Sequence, residues 1–171
     1  MSNTLVSKKE VVFLTEKTSN LFTPLDFADT FSTTNHEDDL EEISKRIFTL
    51  KSKWIIALFE LRNKLVEFFG LKTELPSDYN ENFTIGGYVG FFKIYDLSEE
   101  EVILGADDKH LKFRVGIHKT QAATNNIKVT TLVQLNNTFG KIYMRIIAPF
   151  HRLVVKKMVG QGYSDKIPSC R

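Results

Sequence analysis

The chain has 171 residues, 42% apolar and 26% charged, and 23 Lys and Arg against 21 Asp and Glu give a formal charge of +2. That length fits one domain with its own core, and the near-neutral balance argues against a nucleic-acid partner, which would call for a stronger basic excess on one face. The lone cysteine, Cys170, rules out an intramolecular disulfide, the opening MSNTLVSKKEVVF lacks a signal-peptide run, and no apolar stretch has the length of a membrane span, so a soluble, cytoplasmic protein is expected.

Residues 1–24 read as an N-terminal extension in which Val11-Val12-Phe13-Leu14 is a candidate edge strand. Leu25 to Phe31 alternates apolar and polar residues and predicts a first strand, followed by a loop over Ser32 to Asn35. Asp38 or Asp39 is placed to cap a helix whose first turn is acidic. The helical pattern runs to Phe69, with a break expected near Lys51-Ser52-Lys53 and Gly70 as its C-terminal cap. Composition marks Lys72 to Asn82 as a loop.

Four further strands are expected. Gly86 to Tyr95 carries three glycines, which suit sharp curvature; it lacks the following helix start and the Lys-Ser/Thr pair of a phosphate loop. Glu101 to Leu104 comes next, with Asp107 and Asp108 read as turn residues. Leu111 to His118 and Ile127 to Leu135 show clean period-2 alternation and predict an antiparallel hairpin with one buried face.

The last element, Gly140 to Gly160, is a long amphipathic helix. Ile142/Tyr143, Ile146/Ile147, Phe150, Leu153/Val154 and Met158 form its apolar side, and Lys141, Arg145, Arg152, Lys156 and Lys157 fall largely elsewhere. Such a helix needs a surface to lie on, and the alternating strands supply it. Pro149 predicts a bend. The order of elements gives an α+β fold: a curved antiparallel sheet wrapped around a long C-terminal helix, with two shorter helices, spanning residues 25–160 and followed by a frayed tail over 161–171.

Trp54 with Leu61-Arg62 and Phe69-Gly70-Leu71-Lys72, the run from Leu104 through Gly105-Ala106-Asp107-Asp108 to Val115, Gly140 to Tyr143, and Pro149-Phe150-His151-Arg152 together resemble a small bacterial family of unknown function. That family belongs to the START-like, helix-grip superfamily of polyketide cyclases and lipid carriers, and elsewhere it is fused to a short-chain-dehydrogenase-like NAD-binding domain. The resemblance covers roughly Leu25 to Met158 and implies a helix-grip fold that holds apolar ligands between sheet and helix. It implies no activity and no cofactor. A separately encoded NAD-binding protein is an implied partner, since no glycine-rich dinucleotide turn occurs in this chain.

Candidate residues follow from chemistry and position. Trp54, Phe59, Phe91, Phe113, Tyr143 and Phe150 are the aromatic rings expected to line a cavity, or else to pack as core. Arg62 sits in an apolar helix and calls for a partner acid or carbonyl. Arg114 reads as a residue of a solvated outer face paired to an acid on the next strand, or as a clamp for a ligand carboxylate. His151 could exchange protons or could bond a carbonyl freed by Pro149, but no orienting acid stands at a fixed spacing from it. Asp107, Asp108, His110 and His118 are the densest polar cluster, yet the two histidines lie roughly 26 Å apart along an unbroken strand at about 3.3 Å per residue, so no metal site is expected. Three functions fit: a binder of a small apolar or amphipathic molecule, a cyclase- or hydratase-like enzyme using the same cavity with His151, Tyr143 and Arg114, and a docking module for an NAD-binding protein.

Overall fold

A computed structural model describes residues 7–48 and 77–164. Among them, seven antiparallel strands form one sheet in the order β1-β2-β7-β6-β5-β4-β3. The strands are β1 (Lys8–Glu10), β2 (Phe27–Thr33), β3 (Tyr88–Val89), β4 (Phe92–Leu97), β5 (Glu101–Asp107), β6 (Leu111–Lys119) and β7 (Ile127–Leu135). The helices are α1 (Glu16–Ser19), α2 (Leu40–Phe48) and α3 (Thr138–Gln161). This is the expected α+β helix-grip architecture, a curved sheet against a long C-terminal helix with two shorter ones.

The sheet separates two environments. On one face Phe31, Val129, Ile117, Val115, Val102, Leu104 and Ile94 join Ile43 and Ile47 of α2 and Met158 and Val159 of α3 in the main core. The period of two that sends these side chains inward sends Thr30, Thr130, Gly116 and Arg114 outward. The outward face is covered by residues 13–23. The Phe13 amide donates to Thr30 Oγ1 at 2.9 Å, and Thr130 Oγ1 donates to the Phe13 carbonyl at 2.8 Å. Thr15 Oγ1 donates to the buried Glu101 carboxylate at 2.8 Å. The outer face is therefore not the solvated surface that alternation alone suggests.

Helix starts follow local chemistry. Asp39 Oδ1 accepts from the Glu42 amide at 2.8 Å and caps α2, and Asn137 caps α3 by accepting from the Gly140 amide at 2.9 Å. Leu40, Ile43, Ser44 and Ile47 put the buried side of α2 at helical spacing. Asn35 and Asn126, both fully buried, lock three elements together: the Asn35 amide donates to Asn126 Oδ1 at 2.9 Å, and Asn35 Nδ2 donates to the Gly162 carbonyl at 2.7 Å.

Several expectations change. The N-terminal strand is Lys8–Glu10, so Val11 to Leu14 is not the strand; Val11 is 91% exposed, and lysines instead occupy the edge, where they discourage pairing with another chain. The 86–95 stretch divides into β3 and β4 around a tight turn: Gly90 has φ of 60° while Val89 pairs with Phe92. The glycine there makes a hairpin turn rather than a curved strand. β5 extends through Asp107, which pairs with Lys112, so Asp107 ends a strand instead of occupying a turn. The first part of the tail is fixed, since the Ser164 amide donates to the Thr34 carbonyl at 2.9 Å. α3 runs unbroken through Pro149. Its buried side is narrower than its apolar pattern: Met144, Met158 and Val159 are buried, whereas Ile142, Ile146, Phe150 and Leu153 are 50–58% exposed. The second short-helix segment expected near Trp54 to Phe69 lies outside the described residues.

Candidate functional site

β2 places an acid where its own alternation calls for an apolar residue. Phe27, Asp29 and Phe31 share the face that meets α3, and Asp29 is directly paired with Thr131 of β7. Asp29 is 2% exposed, and neither of its carboxylate oxygens has a hydrogen-bond partner within the protein. Across from it, α3 presents His151, one heptad from the buried Met144 and one from the buried Met158, and so on the helix side that faces the sheet.

The His151 Nδ1 lies 3.9 Å from Asp29 Oδ2, and Arg152 Nε lies 3.8 Å from the same oxygen. Both distances exceed hydrogen-bond reach, so the contacts are electrostatic only. Nδ1 of His151 is itself buried with no partner, so no freed helix carbonyl satisfies that nitrogen. The Phe27 ring holds the arrangement from the side. It meets the imidazole edge-on at 5.8 Å between centroids, and the Arg152 guanidinium sits 5.5 Å from its centre.

Burial dominates the electrostatics. It pushes the Asp29 carboxyl up to about 6, against the opposing pull of Arg152 and Lys9. It pushes His151 down to about 4, with Arg152 adding repulsion of the imidazolium. Near pH 7 the site therefore holds a buried carboxylate and a neutral imidazole. Both are acceptors, save for the one imidazole N–H. The arrangement can receive hydrogen-bond donors or take up a proton near neutral pH. It supplies one carboxylate and one imidazole, and among the described residues no cluster of three His, Cys, Asp or Glu could hold a metal ion.

The sequence-derived candidates disperse. Trp54, Phe59 and Arg62 lie outside the described residues. His151 is at the site. Tyr143 is half-buried two turns earlier on α3, and Phe150 is 51% exposed on the other side of that helix. Phe91 is 59% exposed in the β3–β4 turn. Phe113 packs against the main core and meets Phe92 edge-on at 5.5 Å. Arg114 lies on the opposite face of the sheet from Asp29. There it donates to Asp107 Oδ1 at 2.6 Å and stacks 3.6 Å above the Tyr95 ring. An open groove beside β1, lined by residues 8–13 and Lys128, does not include Asp29 in its lining, and its acid is already taken, because Lys128 pairs with Glu10.

Asp29 is the residue that sequence reasoning missed. Its signal was present: an acid in phase with Phe27 and Phe31, the apolar positions of its strand.

A family model described as a protein of unknown function, DUF2867, matches residues 21–158. No curated protein and no solved structure matched the chain.

Proposed function

From a chain that belongs to the DUF2867 family, whose description carries no activity, we propose a binder of a small amphipathic molecule, seated between the sheet and α3 with its polar end at Asp29 and His151. The observation that carries the reading is the pair of unpartnered carboxylate oxygens on Asp29, beside an equally unpartnered Nδ1 on His151. Buried polar atoms are nearly always bonded, and an exception calls for a partner from outside the chain. The missing partners of the Asp29 carboxylate are donors, so the ligand brings a hydroxyl or N–H to an otherwise apolar body. Arg152 and Lys9 already offset the charge of Asp29, which favours a neutral donor over an ammonium. A START-like relationship and a cytoplasmic location belong to the same reading.

A second reading keeps the site and adds chemistry. A carboxylate raised to about 6 is a general base suited to neutral pH, and a facing neutral imidazole can pass a proton onward, as a cyclase or hydratase requires. Docking to a separate NAD-binding protein rests on the family resemblance alone.

Native mass spectrometry of protein purified gently from its host tests the proposal, with Asp29→Asn prepared alongside. A retained mass of a few hundred daltons in the wild type, lost in the variant, is the expected result. An equal mass in both would remove Asp29 from the site, and a bare chain in both, with no ligand acquired from a lipid and metabolite extract, would overturn the binder reading.

A further inference from the structure

Asp29 presents two orphan acceptors, not one. Oδ1 and Oδ2 are both buried and neither accepts a hydrogen bond, although Thr131 stands directly opposite on β7 and His151 and Arg152 stand above on α3. The two oxygens of a carboxylate lie side by side, so the group that satisfies both at once is a pair of donors on neighbouring atoms. A ligand with a single donor would leave one buried oxygen bare, a loss that is largest for a charged group.

The surroundings of Oδ2 select the donor atoms. His151 Nδ1 at 3.9 Å and Arg152 Nε at 3.8 Å both approach this oxygen, and both stop short of a hydrogen bond. Near pH 7 the imidazole is neutral, and a carboxylate facing Nδ1 favours the tautomer that carries its proton there. An atom seated among the three must donate to Oδ2 and accept from a neighbour. A hydroxyl does both, whereas the N–H of a planar amide, ureide or amidine only donates. An oxygen about 2.8 Å from both Oδ2 and Nδ1 would make an angle of about 90° between them, open enough for a donor and a lone pair. An ammonium also offers several donors, but Arg152 and Lys9 already set positive charge against this carboxylate. Resting on the binder reading above, we propose that the polar end of the ligand is a 1,2-diol, with one hydroxyl on Oδ1 and the other shared by Oδ2 and His151. A glycerol end group and a sugar ring both carry that arrangement. Arg152 reaches furthest into solvent, with 46% of its side chain exposed against 24% for His151 and 3% for Asp29, so it is the wall that moves when the diol enters.

Calorimetric titration of the full chain with 1-octanol, 1,2-octanediol, 1-octanoylglycerol and octyl glucoside, each below its micelle concentration, tests this. At pH 7.5 the octanediol should bind about tenfold or more tightly than octanol, which has the same chain and one donor fewer. The preference should be lost in Asp29→Asn, whose amide offers one acceptor oxygen. It should also be lost in the wild type at pH 5, where the Asp29 carboxyl, at about 6, is protonated and His151, at about 4, is still neutral. That arm needs no variant to fold. Tighter binding of octanoylglycerol than of octyl glucoside would name a glycerol end and the reverse a sugar ring, and either supports the diol. Equal affinities for octanol and octanediol in the wild type at pH 7.5 would overturn it. So would a preference that survives Asp29→Asn, or no binding of any of the four. A retained native mass beside any of these failures would leave a binder whose ligand is no diol, whereas a bare chain would remove both.

Discussion

Asp29 Oδ2 on β2 and Nδ1 of His151 on α3 face each other across 3.9 Å, and burial drives both residues toward their neutral forms. The two shifts have opposite consequences for stability. The Asp29 carboxyl, at 3.8 in an open chain and about 6 when folded, makes the folded state bind more protons between those values, so its contribution falls as pH rises through that window. His151, at 6.5 in an open chain and about 4 when folded, makes the folded state bind fewer protons, so its contribution rises with pH from about 4 to 6.5. Each amounts to about 3 kcal/mol, since a tenfold change in proton affinity on folding is worth about 1.4 kcal/mol, and in the wild type they nearly cancel.

Single substitutions expose the two slopes. Relative to wild type, Asp29→Asn should gain stability as pH goes from 4.5 to 6.5, and His151→Gln should lose it, each by roughly 2–3 kcal/mol. Urea unfolding at the two pH values reads the difference directly, since all other titrating groups are common to the three proteins. Parallel pH profiles for all three would show that neither group is buried as described.

Arg114 makes a different kind of contact, and magnitudes rank its parts. Its partner Asp107 is 44% exposed, so the ion pair is worth at most about 1 kcal/mol. Arg114 is 8% exposed, its guanidinium lies 3.6 Å above Tyr95 and 5.5 Å from Phe22, and Tyr95 is the extra residue where the β4–β5 register shifts. Stacking and stem burial should therefore dominate: Arg114→Ala should cost about 2–3 kcal/mol and Asp107→Ala under about 1. Arg114→Lys should recover little, because an ammonium cannot stack as a planar guanidinium does. Thermal unfolding of the three variants decides it, and a costlier Asp107→Ala would put the ion pair first.

Phe113 is half-buried on the α3 side of the sheet, edge-on to Phe92, which in turn meets the ring of Phe48 at 4.7 Å. The three rings tie β6 to β4 and to the end of α2. Phe113→Ala should cost about 3 kcal/mol, the low end for such truncations because the ring is only partly enclosed. A loss under about 1 kcal/mol in denaturant titration would mean that the ring borders open space rather than core.

What the sequence made legible was periodicity. The 111–118 and 127–135 alternations became β6 and β7 in register, from Leu111 opposite Leu135 to Lys119 opposite Ile127. The acidic start of α2 is local chemistry and was equally readable, whereas α3, capped by Asn137, begins at Thr138, two residues before the start read from its apolar pattern. Tertiary geometry was not. Nothing local says that residues 13–23 cover the outer face, or that half of the α3 apolar pattern points away from the sheet. Asp29 and His151 are 122 positions apart in the chain, and only the pairing of the first long strand with the last brings the acid beneath the helix. The acid that His151 lacked at any fixed spacing is supplied by that topology.

Gly140 pits helix propensity against close approach. In the first turn of α3, Gly to Ala would ordinarily stabilise by up to about 1 kcal/mol through lost chain entropy. Here a Cβ would stand 2.4 Å from the carbonyl oxygen of His110, a backbone atom in the β5–β6 connection that also accepts from the Asn136 amide at 2.8 Å. Neither side can yield cheaply, since moving the carbonyl breaks that bond and moving the helix shifts His151 against Asp29. Gly140→Ala should therefore be destabilising by roughly 1–3 kcal/mol. If the helix start does shift, the imidazole resonances of His151 should move as well. A variant more stable than wild type would show that the helix start is not pressed against the sheet, and that the position of His151 is set from the C-terminal half of α3 alone.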